Sequence, residues 1–195
     1  GVQTCALPIS TLRDGTMLDQ SIRVSGASPA DLVARAKALI PDLAAGASEA
    51  EQQRRVPAAT MAKIKQAELH RLCQPERFGG FEYGGEALLE IGLPLASACA
   101  ATAWCTLVAA GHLWLLALFE LQAQDDVWSQ APDAMLCGSY APIGQAAPEN
   151  AGYRLTGKWG LASGCDHASW AIVGGLIPGE RPRPAFFLIP SSDYT

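Results

Sequence analysis

A helical domain followed by a β domain, the α+β class, is the fold this sequence predicts, and three observations predict it. From residue 28 to about residue 128 apolar positions recur at helical spacing. After Pro132, glycine, proline and aromatic residues become frequent, and alternation replaces that spacing. Helices first and strands afterwards give segregated layers rather than repeated βαβ units. The 195 residues are 49% hydrophobic, enough to bury a sizeable core in one domain or two small ones.

Ser28-Pro29-Ala30-Asp31 reads as a helix start. Ser28 caps, Pro29 suits a first position whose N–H has no partner anyway, and Asp31 completes a capping box near the positive end of the dipole. This helix is expected to run to about Ile40, where Pro41 interferes, and a second helix is expected over 48–55. Pro57 opens a third, with Met61, Ile64, Ala67 or Leu69, and Leu72 near the helical period and Gln74-Pro75 as its end. Phe78-Gly79-Gly80-Phe81 is a turn that glycine permits, because only glycine takes positive φ without penalty.

Residues 85–119 are mostly Ala, Leu, Ile and Val and predict two long buried helices broken between Ser97 and Thr102, followed by a short helix near 124–128. Strands are expected at 134–140, 153–159, 170–176 and 185–189, separated by turns such as Pro148-Glu149-Asn150 and Pro178-Gly179-Glu180. The expected domains are therefore residues 10–132, helical, and 133–195, β. Gly1-Val2-Gln3-Thr4-Cys5-Ala6-Leu7-Pro8-Ile9 resembles the translation of a sequencing-library adapter, so residues 1–9 are expected to stand outside the fold and neither end need be natural.

Several function classes are excluded by composition. A net charge of −5 with no run of Lys or Arg leaves no electrostatic footprint for nucleic acid or for an anionic membrane. The longest apolar run, 104–119, falls short of the roughly 20 residues that cross a bilayer and carries Thr106, Gly111 and His112. Cysteines 5, 73, 99, 105, 137 and 165 form no Cys-x-x-Cys pair, so no metal is expected, and scattered thiols point to a reducing cytoplasm. No phosphate loop, dinucleotide fingerprint, nucleophile elbow or His-Glu-x-x-His helix is present.

What remains is three polar clusters inside apolar sequence. They are Gln74-Pro75-Glu76-Arg77-Phe78-Gly79-Gly80, then Cys137-Gly138-Ser139-Tyr140-Ala141-Pro142-Ile143-Gly144, and lastly Gly157-Lys158-Trp159-Gly160-Leu161-Ala162-Ser163-Gly164-Cys165-Asp166-His167-Ala168-Ser169-Trp170. In these the chain resembles the oxygenase components of two-component flavin-dependent monooxygenases, the hydroxyphenylacetate and steroid-degradation hydroxylase groups of the acyl-CoA dehydrogenase-like superfamily. The third cluster matches that family's Trp-x-Phe-x-Ser-Gly-x-Asp-His-Ala-x-Trp pattern, with Leu161 in place of the aromatic, and is the specific one. The resemblance spans 28–194.

The resemblance implies a helical domain, a central β-barrel domain that is incomplete here, and a C-terminal four-helix bundle that is missing and that builds a homotetramer. It implies hydroxylation of a small aromatic or phenolic substrate by reduced flavin (FADH2 or FMNH2) and O2, with a separate flavin reductase as partner. It places the flavin ring near Ser139, Ala141, Trp159, Leu161 and Ser163, where an apolar wall and a few polar groups fix it. Ser163 is implied to sit close to flavin N5, where one hydrogen bond steadies the oxygenated flavin against collapse to hydrogen peroxide. From residue type alone Ser163 would be a turn hydroxyl satisfying its own backbone, and the motif reverses that preference.

His112, the one basic side chain in 104–119, has two open readings. It contacts the phenolate or oxygenated flavin, or it is a core histidine with a satisfied ring. Asp166 and His167 are expected to orient the turn that holds Ser163 rather than to react. His70, beside Arg71, reads as solvated, and Trp104, Trp114 and Trp128 read as core. An acyl-CoA dehydrogenase is the first alternative, disfavoured because Tyr140-Ala141-Pro142 stands where those enzymes usually carry a Thr-Glu-Pro type of segment. The second is that the polypeptide by itself is no active enzyme.

Overall fold

A capping box starts the first helix as expected: Ser28 Oγ accepts from the Asp31 amide while the Asp31 carboxylate accepts from the Ser28 amide. The computed structural model describes residues 2–4, 26–149 and 152–195, so Asn150 and most of residues 1–9 lie outside the described residues. Its helices are α1 (Pro29–Ala38), α2 (Ile40–Gln53), α3 (Ala58–Gln66), α4 (Gly85–Ala98), α5 (Ala100–Leu116) and α6 (Leu121–Trp128). The break between the two long helices falls at Cys99, inside the expected interval.

Two helix boundaries differ from expectation, each for a local reason. Pro41 sits in the first turn of α2, where no amide is needed, so it opens this helix instead of merely ending the one before. The third helix stops at Gln66, because Glu68 takes a left-handed conformation (φ 62°) and the chain continues as a 3₁₀ turn, Leu69–Arg71.

The strands are β1 (Val2–Thr4), β2 (Leu136–Glu149), β3 (Gly152–Thr156), β4 (Trp170–Ile177) and β5 (Arg183–Pro190), in the sheet order β1-β3-β2-β4-β5. Three of the residues set aside at the N-terminus thus pair antiparallel with β3 at the sheet edge. β2 runs parallel to β4, and the other pairs are antiparallel. β2 continues to Glu149, past the expected Tyr140, because Gln145–Glu149 turn to pair with β3 after the ladder to β4. β3 ends at Thr156 rather than Trp159, because the Trp159 ring folds back to bond the Gly174 carbonyl on β4.

The core does not divide at Pro132. Leu113, Leu116, Phe119, Val127 and Trp128 from the helical half pack with Leu136, Ile172 and Leu188 from the strands into one cluster, flanked by one drawn mainly from the helical half and joined by Met135, and by one borne on the sheet. The turning point itself is clasped by Arg71 and by Gln74 of the first polar motif. The Pro132 carbonyl accepts from Arg71 Nη2 at 2.8 Å, Arg71 Nε at 3.2 Å and Gln74 Nε2 at 2.9 Å. Gly80 is required beneath that clasp, since a methyl there would lie 2.1 Å from the Gln74 carbonyl oxygen.

Three expected placements are corrected. His70 is buried, not solvated: only 1% of it is exposed, and the Asp133 backbone lies beside its ring. The 3₁₀ turn Leu69–Arg71 tucks Leu69 and His70 inward together. Trp104 and Trp114, read as core, are 61% and 55% exposed, while α5 buries Ala103, Thr106, Ala109, Ala110 and Leu113; Trp128 is core. Among the described residues no helix is long and apolar enough to cross a membrane.

Candidate functional site

One face of α5 is the floor from which the site is built. Trp104, Val108 and His112 stand four residues apart and share that face, and α5 packs against β2. The Val108 carbonyl accepts a short hydrogen bond from His112 Nδ1, and because a carbonyl only accepts, Nδ1 carries the proton. Burial lowers the His112 pKa, with the Val108 bond opposing, so at neutral pH the ring is uncharged and Nε2 presents a lone pair. Nε2 lies against the sheet at Gly138: a methyl on that glycine would meet it at 2.5 Å.

The second polar motif forms the wall above. Register between β2 and β4 shifts between Ser139 and Gly144, so Tyr140, Ala141, Pro142 and Ile143 bulge out of the ladder and are exposed. Tyr140 stands beside His112, ring centroids 5.5 Å apart, and edge-on to Phe186 at 5.3 Å. Burial of the phenol pushes the Tyr140 pKa up to about 12, so this hydroxyl keeps its proton at neutral pH.

Gly174 makes the bulge possible. A Cβ there would lie 2.3 Å from the Tyr140 carbonyl oxygen and 2.7 Å from that of Ala141. Gly174→Ala is therefore expected to destabilise the protein by roughly 1–3 kcal/mol, the usual cost of overpacking. The urea midpoint should fall with the slope unchanged, and a midpoint equal to that of the parent would refute the close approach.

The third motif is the loop from Gly157 to Ser169, pinned at three points. The Trp159 indole packs over Gly144 and Gly157 and donates from Nε1 to the Gly174 carbonyl at 2.9 Å. Ser139 Oγ donates to the Gly160 carbonyl at 3.0 Å, tying the second motif to the third. His167 Nε2 bonds the Val56 carbonyl at 2.8 Å, which fastens the turn after Ser163 to the helical domain. Asp166 is exposed on that same turn.

Between the pins the loop offers two unlike side chains. Leu161 has φ 58°, a left-handed conformation that costs a non-glycine residue of order 1 kcal/mol, and it is 99% exposed. Ser163 Oγ accepts from Trp104 Nε1 at 3.0 Å. Its own O–H has no acceptor among the described residues.

The expected site residues thus fall into two linked groups. Ser163, Leu161, Trp159 and Ser139 meet around the loop, and His112 lies under Gly138 beside the bulge that carries Ala141. Sequence reasoning missed Trp104, the partner of Ser163, and Tyr140, the neighbour of His112. The spacing of Trp104 and His112 on one helical face was the available signal. The open groove lined by Arg35, Asp42, Lys63 and Glu68 lies between α1 and α3, away from all of these residues, and its charges are paired with one another.

No protein-family model matches the chain. It is 42% identical over 168 residues to the FADH2-dependent resorcinol hydroxylase, oxygenase component, of Rhizobium sp. (strain MTP-10005), covering 84% of this chain and 41% of that protein. It is 37% identical over 177 residues to the p-hydroxyphenylacetate 3-hydroxylase, oxygenase component, of Acinetobacter baumannii, covering 90% and 41%. Among solved structures, 3-HSA hydroxylase from Rhodococcus sp. RHA1 superposes with a TM-score of 0.81 at 40% identity, covering 85% of this chain and 43% of that one. XiaF from Streptomyces sp., in complex with FADH2 and glycerol, superposes with a TM-score of 0.81 at 33% identity, covering 86% and 43%. The chain spans about two-fifths of the length of these relatives. Over that span it is homologous to the oxygenase components of two-component flavin-dependent hydroxylases and shares their acyl-CoA dehydrogenase-like fold.

Proposed function

We propose that the protein is the oxygenase component of a two-component monooxygenase, hydroxylating a phenolic or other small aromatic substrate with O2 and a reduced flavin, FADH2 or FMNH2, delivered by a separate reductase. The observation that carries this reading is the Ser163 loop, where a hydroxyl held by Trp104 stands two residues from an exposed, strained Leu161. A flat ring with one polar edge fits such a place: apolar surface on the Leu161 and Trp104 side chains and one free O–H at Ser163. The relatives' names and the FADH2 complex of XiaF support a flavin as that ring.

Bound reduced flavin would supply the activation of O2 and the oxygen atom that is transferred. The chain's own residues bind and orient. Ser163 would hold the flavin's polar edge by a hydrogen bond from its hydroxyl, and Ser139, by holding the Gly160 carbonyl, fixes the loop against β2. Neutral His112, its proton committed to Val108, accepts at Nε2 from a phenolic O–H and so orients the substrate ring. His167 anchors the turn through Val56, and Asp166 stands exposed at its edge.

Phenolic substrates named for the relatives, resorcinol and p-hydroxyphenylacetate, support this substrate class. A homotetramer and a cytosolic location go with the same reading, as does inactivity of the 195-residue chain by itself. Apolar side chains left open at Leu89, Leu93, Trp114 and Leu121 support that last point.

The test mixes the intact oxygenase anaerobically with FADH2 or FMNH2, adds resorcinol or p-hydroxyphenylacetate, admits O2, and quantifies hydroxylated product and hydrogen peroxide. Product formed only with reduced flavin is the expected result. Peroxide alone, at the rate of free reduced flavin, overturns the proposal, and reduction of a tightly bound oxidised flavin by an acyl-CoA would make the protein a dehydrogenase.

A further inference from the structure

We infer that Trp104 is a positioning residue that aims the Ser163 hydroxyl, through the indole N–H it donates to Ser163 Oγ. The inference rests on the flavin-dependent reading of the Ser163 loop and adds a residue that the sequence motifs do not contain.

A serine hydroxyl has one donor and two acceptor sites, and on an exposed turn it rotates among three staggered positions. Here one acceptor site is filled by Trp104 Nε1 at 3.0 Å, from a helix on the other side of the site. Indole N–H is only a donor, so this contact has a single sense: the tryptophan donates and the serine accepts. Two consequences follow. The Ser163 proton is turned away from Trp104, toward the open side of the loop where no acceptor among the described residues competes for it. Accepting one hydrogen bond also polarises the O–H and strengthens it as a donor.

The surroundings show that the contact is more than packing. Trp104 is 61% exposed, so its ring is held by few neighbours, and a side chain of that size left in solvent has little reason to stay in one rotamer without a directional bond. Gly164, at φ 79°, lets the loop turn directly after Ser163, and a Cβ there would lie 3.9 Å from Cys105 Cβ, next to Trp104 on α5. The loop thus approaches the first turns of α5 closely, and His167 holds it there through Val56. α5 carries both Trp104 and His112, so one rigid helix sets the direction of the Ser163 hydroxyl and the place of the His112 lone pair.

Trp104→Phe keeps an aromatic ring at an exposed position and removes only the N–H, so the fold is expected to survive. Two readouts test the inference in the intact oxygenase. The first needs no turnover: the ultraviolet Raman band sensitive to indole hydrogen bonding should lose the same bonded component in Ser163→Ala as in Trp104→Phe. The second is the ratio of hydrogen peroxide to hydroxylated product in Trp104→Phe, Ser163→Ala and the double variant. Trp104→Phe should raise that ratio several-fold with KM for the phenol little changed, and the double variant should be no worse than Ser163→Ala, because Trp104 acts through Ser163.

An unchanged ratio in Trp104→Phe, additive effects in the double variant, or a Raman band indifferent to Ser163→Ala overturns the inference while the enzyme remains a flavin-dependent hydroxylase. An intact protein that makes no product with reduced flavin sinks the functional reading, and this inference with it.

Discussion

Ser163→Ala, in the intact oxygenase supplied with reduced flavin, is expected to lower hydroxylated product per flavin by roughly 10²-fold, the usual loss when one preorganised donor is removed from a reacting centre. Hydrogen peroxide should rise in proportion, and total consumption of reduced flavin should change little. The expectation follows from the geometry: the Ser163 O–H has no acceptor among the described residues, and its oxygen is held by the Trp104 indole N–H. Ser139→Ala, which removes a tie beneath the loop, should have a smaller effect. Equal product yields in Ser163→Ala and the parent, measured by chromatography against peroxide released, would show that this hydroxyl has no part in the reaction.

The second large effect concerns stability and acid. Burial pushes the His70 pKa down to about 4 from 6.5, with the positive charges of Lys65 and Arg71 adding to it and Asp133 opposing. Between those two values the unfolded chain binds a proton that the folded chain refuses, so stability falls as pH drops from 6.5 toward 4 and is unaffected by this group above 6.5. The loss by pH 4 is of order 3 kcal/mol, at about 1.4 kcal/mol for each pH interval of one. Urea midpoints at pH 7, 5.5 and 4.5 measure it. His70→Phe, which fills the same space without a titrating ring, should flatten the difference between pH 7 and 4.5; identical slopes in the parent and the variant would refute the assignment.

Much of the fold was legible from local physics. The capping box at Ser28 and Asp31, the break between Ser97 and Thr102, and strands expected from 134, 153, 170 and 185 and found from 136, 152, 170 and 183 each rest on contacts within a few residues or on a short repeat, which a sequence displays directly. Pro41 misled because proline is compatible with both the end of one helix and the first turn of the next. The end of the strand at Thr156 was hidden because the Trp159 ring bonds Gly174, fifteen residues away on another strand.

For the candidate site the division has the same cause. The motif around Ser163 and the homology it carries were present in the order of residues, as were the acidic charge that leaves nucleic acid without a footprint and the apolar run too short to cross a membrane. Only the tertiary structure decided that His70 is inside, that Trp104 and Trp114 are outside, and that Trp104 donates to Ser163 while His112 lies beneath Gly138. Those facts depend on which faces of α5 and the sheet meet, and residues 104 and 163, or 112 and 138, become neighbours only when the shared helix–sheet core closes. Spacing along a chain encodes periodicity and caps; it carries no record of which distant side chain arrives opposite a given hydroxyl, since that is set by packing of the whole core.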